Sequence, residues 1–252
     1  MIGGGASGRV YKALNVTSGV LSAVKKIHLC EEEEAQAKSE IEILSGIHHQ
    51  NIVRYLEHYH LQEETWIFME YVPGTLKHYY KDFGAPPLPT YLHFARQLIT
   101  ALHYLHGKKI MHKDIKCDNV LLSSKGVLKL TDFGCSKGFD RTLSMVHYEK
   151  EGSKTQKGTS YWMAPEAIMD NDYSRKADIW SLGCTLLELA TADIPWAEKG
   201  LDSNKIMMYI GQTQETPQVP QNLPPITREL ISSCFHRDPE QRYDTQQLLN
   251  II

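Results

Sequence analysis

Short apolar runs alternate with polar breaks over the first seventy residues. "RVYKALN" and "GVLSAVKKI" are rich in Val, Leu and Ile and flank the turn "VTSG", which predicts a strand, a turn and a strand. "NIVRYLEHYHL" and "TWIFMEYV" predict two further strands before "VPGTL" breaks the pattern. Between the strand pairs, "EEEEAQAKSEIEILSGI" predicts a helix. Its acidic start suits the positive end of the helix dipole, and Gly46 supplies a stop. From Thr90 the period changes. Leu92, Ala95, Leu98, Ile99, Leu102 and Leu105 recur at helical spacing, and Gly107 ends the run. Short strands are expected at "KIMH", "VLL" and "VLKLT". "DIWSLGCTLLELAT" is apolar on most sides and predicts a buried helix, while "TRELISSCF" and "TQQLLNII" predict smaller amphipathic ones. No internal repeat is visible. The pattern gives an α+β chain with a strand-rich lobe over residues 1–72 and a helix-rich lobe over 73–252. A cleft between two such lobes is a natural ligand site.

Composition narrows the picture. The 252 residues suffice for one large domain or two small lobes with real cores. With 42% hydrophobic and 23% charged residues the chain is an ordinary globular one. A net charge of −3 offers no electrostatic argument for a nucleic-acid or membrane partner. The five cysteines are scattered and form no CxxC pair, which points to a reduced compartment and a cytoplasmic location. No apolar stretch approaches the roughly 20 residues of a membrane span. Among the twelve histidines, His48–His49 and His103–His106 lie close in sequence. No HExxH helix or thiolate pair accompanies them, so structural or surface roles are expected.

Four stretches carry chemistry. "GGGASGRV" holds Gly3, Gly5, Gly8 and Val10 in the pattern GxGxxGxV, where bare backbone can approach phosphates. A flexible linker fits those glycines about as well. A dinucleotide site fits poorly, because strand-like rather than helical residues follow. "SAVKKI" sets Lys25 inside an apolar strand, where an ammonium wants phosphate or a carboxylate such as Glu40. "TDFG" places Asp132 at a strand end, where a carboxylate can hold Mg²⁺ through oxygen, and Asn119 could hold a second ion. In "MHKDIKCDN", Asp114, Lys116 and Asn119 suit phosphoryl transfer.

Taken in order, "GGGASGRV", "AVKK", "HKDIKCDN", "DFG" and "APE" resemble the signature set of the eukaryotic protein kinases, over nearly the whole chain. The resemblance implies a bilobal kinase-like fold: a small antiparallel-sheet lobe with one helix, and a larger helical lobe. It implies ATP and Mg²⁺ as cofactors. Gly3, Gly5 and Gly8 match the loop over the ATP phosphates, with Ile2 beside it. Lys25, paired to Glu40, matches the lysine on the α- and β-phosphates. Asp114 matches the residue that accepts the substrate hydroxyl proton, Lys116 a contact to the transferred phosphate, and Asn119 and Asp132 the metal ligands. Met69 looks like the gatekeeper, and Glu70 and Val72 like the hinge at the adenine. Val10, Ala23 and Leu121 look like the apolar walls around that ring. His112, Phe133 and Leu44 resemble a packed spine, Asp178 the residue that anchors the catalytic loop, and Glu166 with Arg242 a buried ion pair.

The position of Lys116 and the presence of Thr159 in "GTSYWMAPE" resemble Ser/Thr rather than tyrosine kinases. "DFGCSK", "GTSYWMAPEAI" and "SLGCT" followed by "PW" look most like MAP kinase kinase kinases of the sterile kinase group, ahead of that group's germinal-centre-type members. The implied partners are a protein substrate, with a MAP kinase kinase as candidate, and an upstream activating kinase or autophosphorylation. A pseudokinase scaffold is the rival from another class. It would predict loss of Lys25, Asp114, Asn119 or Asp132, and all four are present. Three departures stand out. Only Met1 and Ile2 precede the glycine loop, Ser160 stands where proline is common, and Lys113 stands where arginine is usual. Arginine there grips an activation-segment phosphate with a planar fork, for which Thr155 and then Ser153 are the candidate sites. Lysine supplies the charge without the fork, so a weaker phospho-dependence is expected.

Overall fold

The computed structural model describes residues 1–5, 8–28, 31–61, 63–138, 160–170 and 173–252. Strands β1 (Gly3–Gly5), β2 (Gly8–Leu14), β3 (Leu21–His28), β4 (Tyr55–Leu61) and β5 (Glu64–Glu70) form one antiparallel sheet in the order β1-β2-β3-β5-β4. Helix α1 (Glu31–Gly46) packs against it. On β5 the residues facing the core, Thr65, Ile67 and Met69, alternate with half-exposed ones, the signature of a strand with one buried face. β3 is central and buries Ser22 through Lys25 without a break.

The short start of the chain still forms a strand. Gly3 and Gly5 pair with Val10 and Gly8, and the Ile2 N–H donates to the Val10 carbonyl at 2.9 Å. The glycine run is therefore partly a sheet edge. Gly8 (φ 127°) has no substitute: a Cβ there would lie 2.4 Å from the Lys26 carbonyl oxygen. The run predicted from Asn51 enters the sheet only at Tyr55. Ile52 and Val53 are buried and lie against Leu130 of the larger lobe instead: the Val53 N–H donates to the Leu130 carbonyl and the Leu130 N–H to the Asn51 carbonyl, both at 2.9 Å.

The larger lobe opens with β6 (Gly74–Thr75) and α2 (Leu76–Phe83), then α3 (Leu88–Gly107). The short strands β7 (Ile110–Met111), β8 (Val120–Leu122), β9 (Leu128–Leu130) and β10 (Lys137–Gly138) follow. Helices α4 (Pro165–Met169), α5 (Arg175–Thr191), α6 (Ser203–Gln212), α7 (Pro225–Ser232) and α8 (Thr245–Leu249) complete the described lobe. α5 is its axle. The Ser174 hydroxyl caps it by accepting from the Lys176 N–H, and residues Ala177–Leu189 are buried throughout. Arg242, 1% exposed, donates to Glu166 at 2.7 and 3.2 Å and fastens the chain's end to α4. Among the described residues no helix is long and apolar enough to cross a membrane.

Candidate active site

Three elements converge on Lys25. Its position in central β3 buries the side chain to 4% exposure, and α1 lays Glu40 against it. Lys25 Nζ lies 2.8 Å from both carboxylate oxygens of Glu40 and 3.1 Å from Asp132 Oδ1. Burial lowers the pKa of the ammonium, but the carboxylates of Asp132 and Glu40 outweigh it and raise the pKa above the ordinary value. Asp132 follows β9 in the left-handed region (φ 65°), and that turn carries its carboxylate back to Lys25. Burial pushes its pKa up, and the attraction of Lys25 overrides this and lowers it, so it remains a carboxylate.

The second cluster lies on the loop after β7. Asp178 of α5 anchors it: Oδ2 accepts from the His112 N–H at 2.9 Å and Oδ1 from the Lys113 N–H at 2.8 Å. His106 Nε2 lies 3.0 Å from Oδ2. Lys113 is held at φ 68°, a conformation that persists in a non-glycine residue only where its surroundings impose it. His112 is neutral by geometry. Its Nε2–H donates to the Thr131 carbonyl at 3.1 Å, while Nδ1 accepts from the Asp114 N–H at 3.3 Å. Burial lowers its pKa in agreement. Its ring stands edge-on to Phe133 at 4.9 Å.

Asp114, on the same loop, is buried with both carboxylate oxygens accepting hydrogen bonds. Lys116 Nζ donates to both at 2.9 and 2.8 Å, and Asn119 Nδ2 donates to Oδ2 at 2.7 Å. The same Nδ2 donates to the Asp114 carbonyl at 2.9 Å, which uses both amide hydrogens and leaves Asn119 Oδ1 as the atom for a cation. The amide oxygen of Asn119 and the carboxylate of Asp132 form the oxygen donor set that suits Mg²⁺.

The family pattern described as "Protein kinase domain" matches residues 1–251. The chain belongs to the protein kinase family. It is similar to mitogen-activated protein kinase kinase kinase 3 of Arabidopsis thaliana, 37% identical over 259 residues that cover 99% of this chain and 39% of that protein. It is also similar to mitogen-activated protein kinase kinase kinase A of Dictyostelium discoideum, at 36% identity over 99% of this chain and 26% of that protein. Mitogen-activated protein kinase kinase kinase 19 of Mus musculus is 37% identical over 99% of this chain and 19% of that protein. The kinase chain thus spans two fifths or less of these relatives.

The other residues expected at the site take the following places. Met69 is 6% exposed and pairs with Ala23, 9% exposed, across β3 and β5. Val10 pairs with Lys25, and Leu121 sits on β8 two residues past Asn119. Glu70 at the end of β5 accepts from the Arg54 N–H and Lys129 Nζ, both at 2.8 Å. Val72 is buried, whereas Ile2 is half exposed. Leu44 is buried on α1. Thr159, Thr155 and Ser153 lie outside the described residues. Lys113 Nζ stands 4.8 Å above the ring of Tyr173, within cation–π range. Ser160, in the usual proline position, is buried with its hydroxyl 3.0 Å from that of Ser203. The histidines noted in the sequence take structural places: His49 stacks on Tyr104, and His103 Nδ1 meets the Thr245 hydroxyl at 2.9 Å.

Two features escaped the sequence. Glu188 of α5 is fully buried and accepts from Tyr80 Oη at 2.9 Å, Trp162 Nε1 at 3.1 Å and the Cys117 N–H at 3.2 Å. It joins α2, the catalytic loop and the segment before α4. The lone carboxylate in the apolar run "TLLELAT" was the available signal. Lys77 also pairs with Asp118 at 2.6 Å, a contact 41 residues apart that no local pattern announces.

Proposed function

We propose that the chain transfers the γ-phosphoryl group of ATP to Ser or Thr hydroxyls of a protein, in the manner of a MAP kinase kinase kinase. The observation that carries this reading is the juxtaposition of Asp114, held by Lys116 and Asn119, with the Lys25–Glu40–Asp132 cluster. Asp114 orients the substrate hydroxyl and takes its proton. Lys116 offers its ammonium to the transferred group, and Lys25, aligned by Glu40, holds the α- and β-phosphates. Asn119 and Asp132 are the residues that would hold Mg²⁺, which when bound neutralises phosphate charge. Because the transition state is loose, positioning and charge stabilisation supply most of the rate.

Relatives named for action on MAP kinase kinases make such a kinase the candidate substrate. The chain, incubated with MgATP, a MAP kinase kinase and a generic basic protein, is expected to label the MAP kinase kinase on Ser or Thr and prefer it. Label on Tyr alone, or no label on either protein, would contradict the reading.

A further inference from the structure

Between the hinge and the catalytic loop two short segments run side by side. β6 pairs with β8 in the register Gly74↔Leu122 and Thr75↔Leu121. There the backbone ladder ends, because Thr75 caps α2 by accepting from the His78 N–H and the chain turns into a helix. Lys77 nevertheless reaches back across the gap, with Nζ 2.6 Å from Asp118 Oδ2. The ion pair continues through side chains the pairing that the backbone begins. Both side chains are partly exposed, at 29% and 41%, so neither fills a core.

Asp118 stands between two residues with defined duties. Cys117 behind it gives its N–H to Glu188, and Asn119 ahead of it donates twice to Asp114. Leu121, two residues further on, belongs to the strand that β6 holds. One helical turn beyond Lys77, Tyr80 donates to the same Glu188. α2 is therefore tied to the 117–119 turn in two ways, directly at the surface through Lys77 and in the interior by way of Glu188.

We infer that the Lys77–Asp118 pair is a positioning device for phosphoryl transfer: it clamps α2 to the 117–119 turn and so keeps Asn119 bonded to Asp114. Neither residue touches the reacting atoms. The significance of Asn119 and Asp114 rests on the proposed kinase activity, whereas the clamp itself rests on geometry. A clamp and a simple charge effect differ in sign. Lys77→Met removes a positive charge and Asp118→Asn a negative one, so a field acting on the cleft shifts activity in opposite directions. Loss of a clamp shifts it the same way in both.

The test compares wild type with Lys77→Met, Asp118→Asn and Lys77→Arg, each checked by its melting curve. Steady-state kinetics give kcat and the KM values, and hydrogen exchange reports the amides of residues 117–122. Both disrupting variants are expected to lower kcat about threefold, the scale of a partly exposed ion pair, with the protein-substrate KM unchanged. Exchange in the 117–122 segment accelerates in both, and Lys77→Arg restores wild-type values. Unchanged exchange in both disrupting variants, kcat shifts of opposite sign, or failure of Lys77→Arg to restore would overturn the inference. Were wild type itself to transfer no phosphate, the functional reading would fall and the exchange data would still decide the clamp.

Discussion

At the scale of single residues, His112 shows how the site is tuned. One ring nitrogen donates to the Thr131 carbonyl and the other accepts from the Asp114 N–H, so a second ring proton would break the bond that seats the catalytic backbone. Burial lowers its pKa below the ordinary 6.5. As pH falls through about 6.5 the unfolded chain takes up a proton there and the folded chain does not. Stability from this group is therefore full above that window and declines below it, by at most about 1.4 kcal/mol per pH unit. His112→Tyr keeps a ring in the spine without this titration. Urea midpoints measured between about pH 7.5 and about pH 5.5 are expected to fall more steeply in wild type than in the variant. Parallel slopes would show that His112 takes its proton in the folded state too. Lys113, its neighbour, departs from the usual arginine, yet its strained backbone is fixed by Asp178 and its ammonium lies over Tyr173. With lysine there, the Lys113 N–H still donates to Asp178 Oδ1 at 2.8 Å.

At the scale of elements, the packing of α5 on α7 and the residues after it makes a sharp test. A Cβ on Gly183 would lie 2.4 Å from Cys234 Cβ and 2.9 Å from Phe235 Cε1. Helix propensity alone favours alanine at a helix interior by about 1 kcal/mol. Those distances are far inside contact, so overpacking wins and Gly183→Ala should cost about 1–3 kcal/mol. The check is a lower denaturant midpoint, and a raised one would contradict the packing. Long elements were legible in the sequence because their period repeats. α3 shows six apolar positions at helical spacing, and α5 is apolar almost all round. α2 was not legible: in eight residues it buries only Leu76 and Tyr80, too few to display a period. Strands of two residues, such as β6 and β10, have no alternation to read. They form because the neighbouring backbone offers partners, which only tertiary structure supplies. The same holds for the site. Lys25, Asp114, Asn119 and Asp132 were legible because each chemical type stands in a local motif. Glu188 and the Lys77–Asp118 pair join distant segments.

At the scale of the whole molecule, the cleft is made from two halves that meet at named contacts. The sheet lobe brings Lys25 and Glu40, the helical lobe Asp114 and Asn119, and Asp132 reaches from the second to the first. The lobes are tied where Val53 N–H donates to the Leu130 carbonyl and Asn51 Nδ2 to the Leu128 carbonyl, both at 2.9 Å. These ties join the two halves, and the proposed phosphoryl-transfer site draws its residues from both. The proposed reaction requires Asp114 as the group that receives the substrate proton. Asp114→Asn, which preserves shape but not basicity, tests it most directly, with kcat for transfer to protein and the affinity for MgATP measured on the same preparation. A fall in kcat of at least about a hundredfold is expected, with MgATP affinity nearly unchanged. Turnover close to wild type in that variant would contradict it.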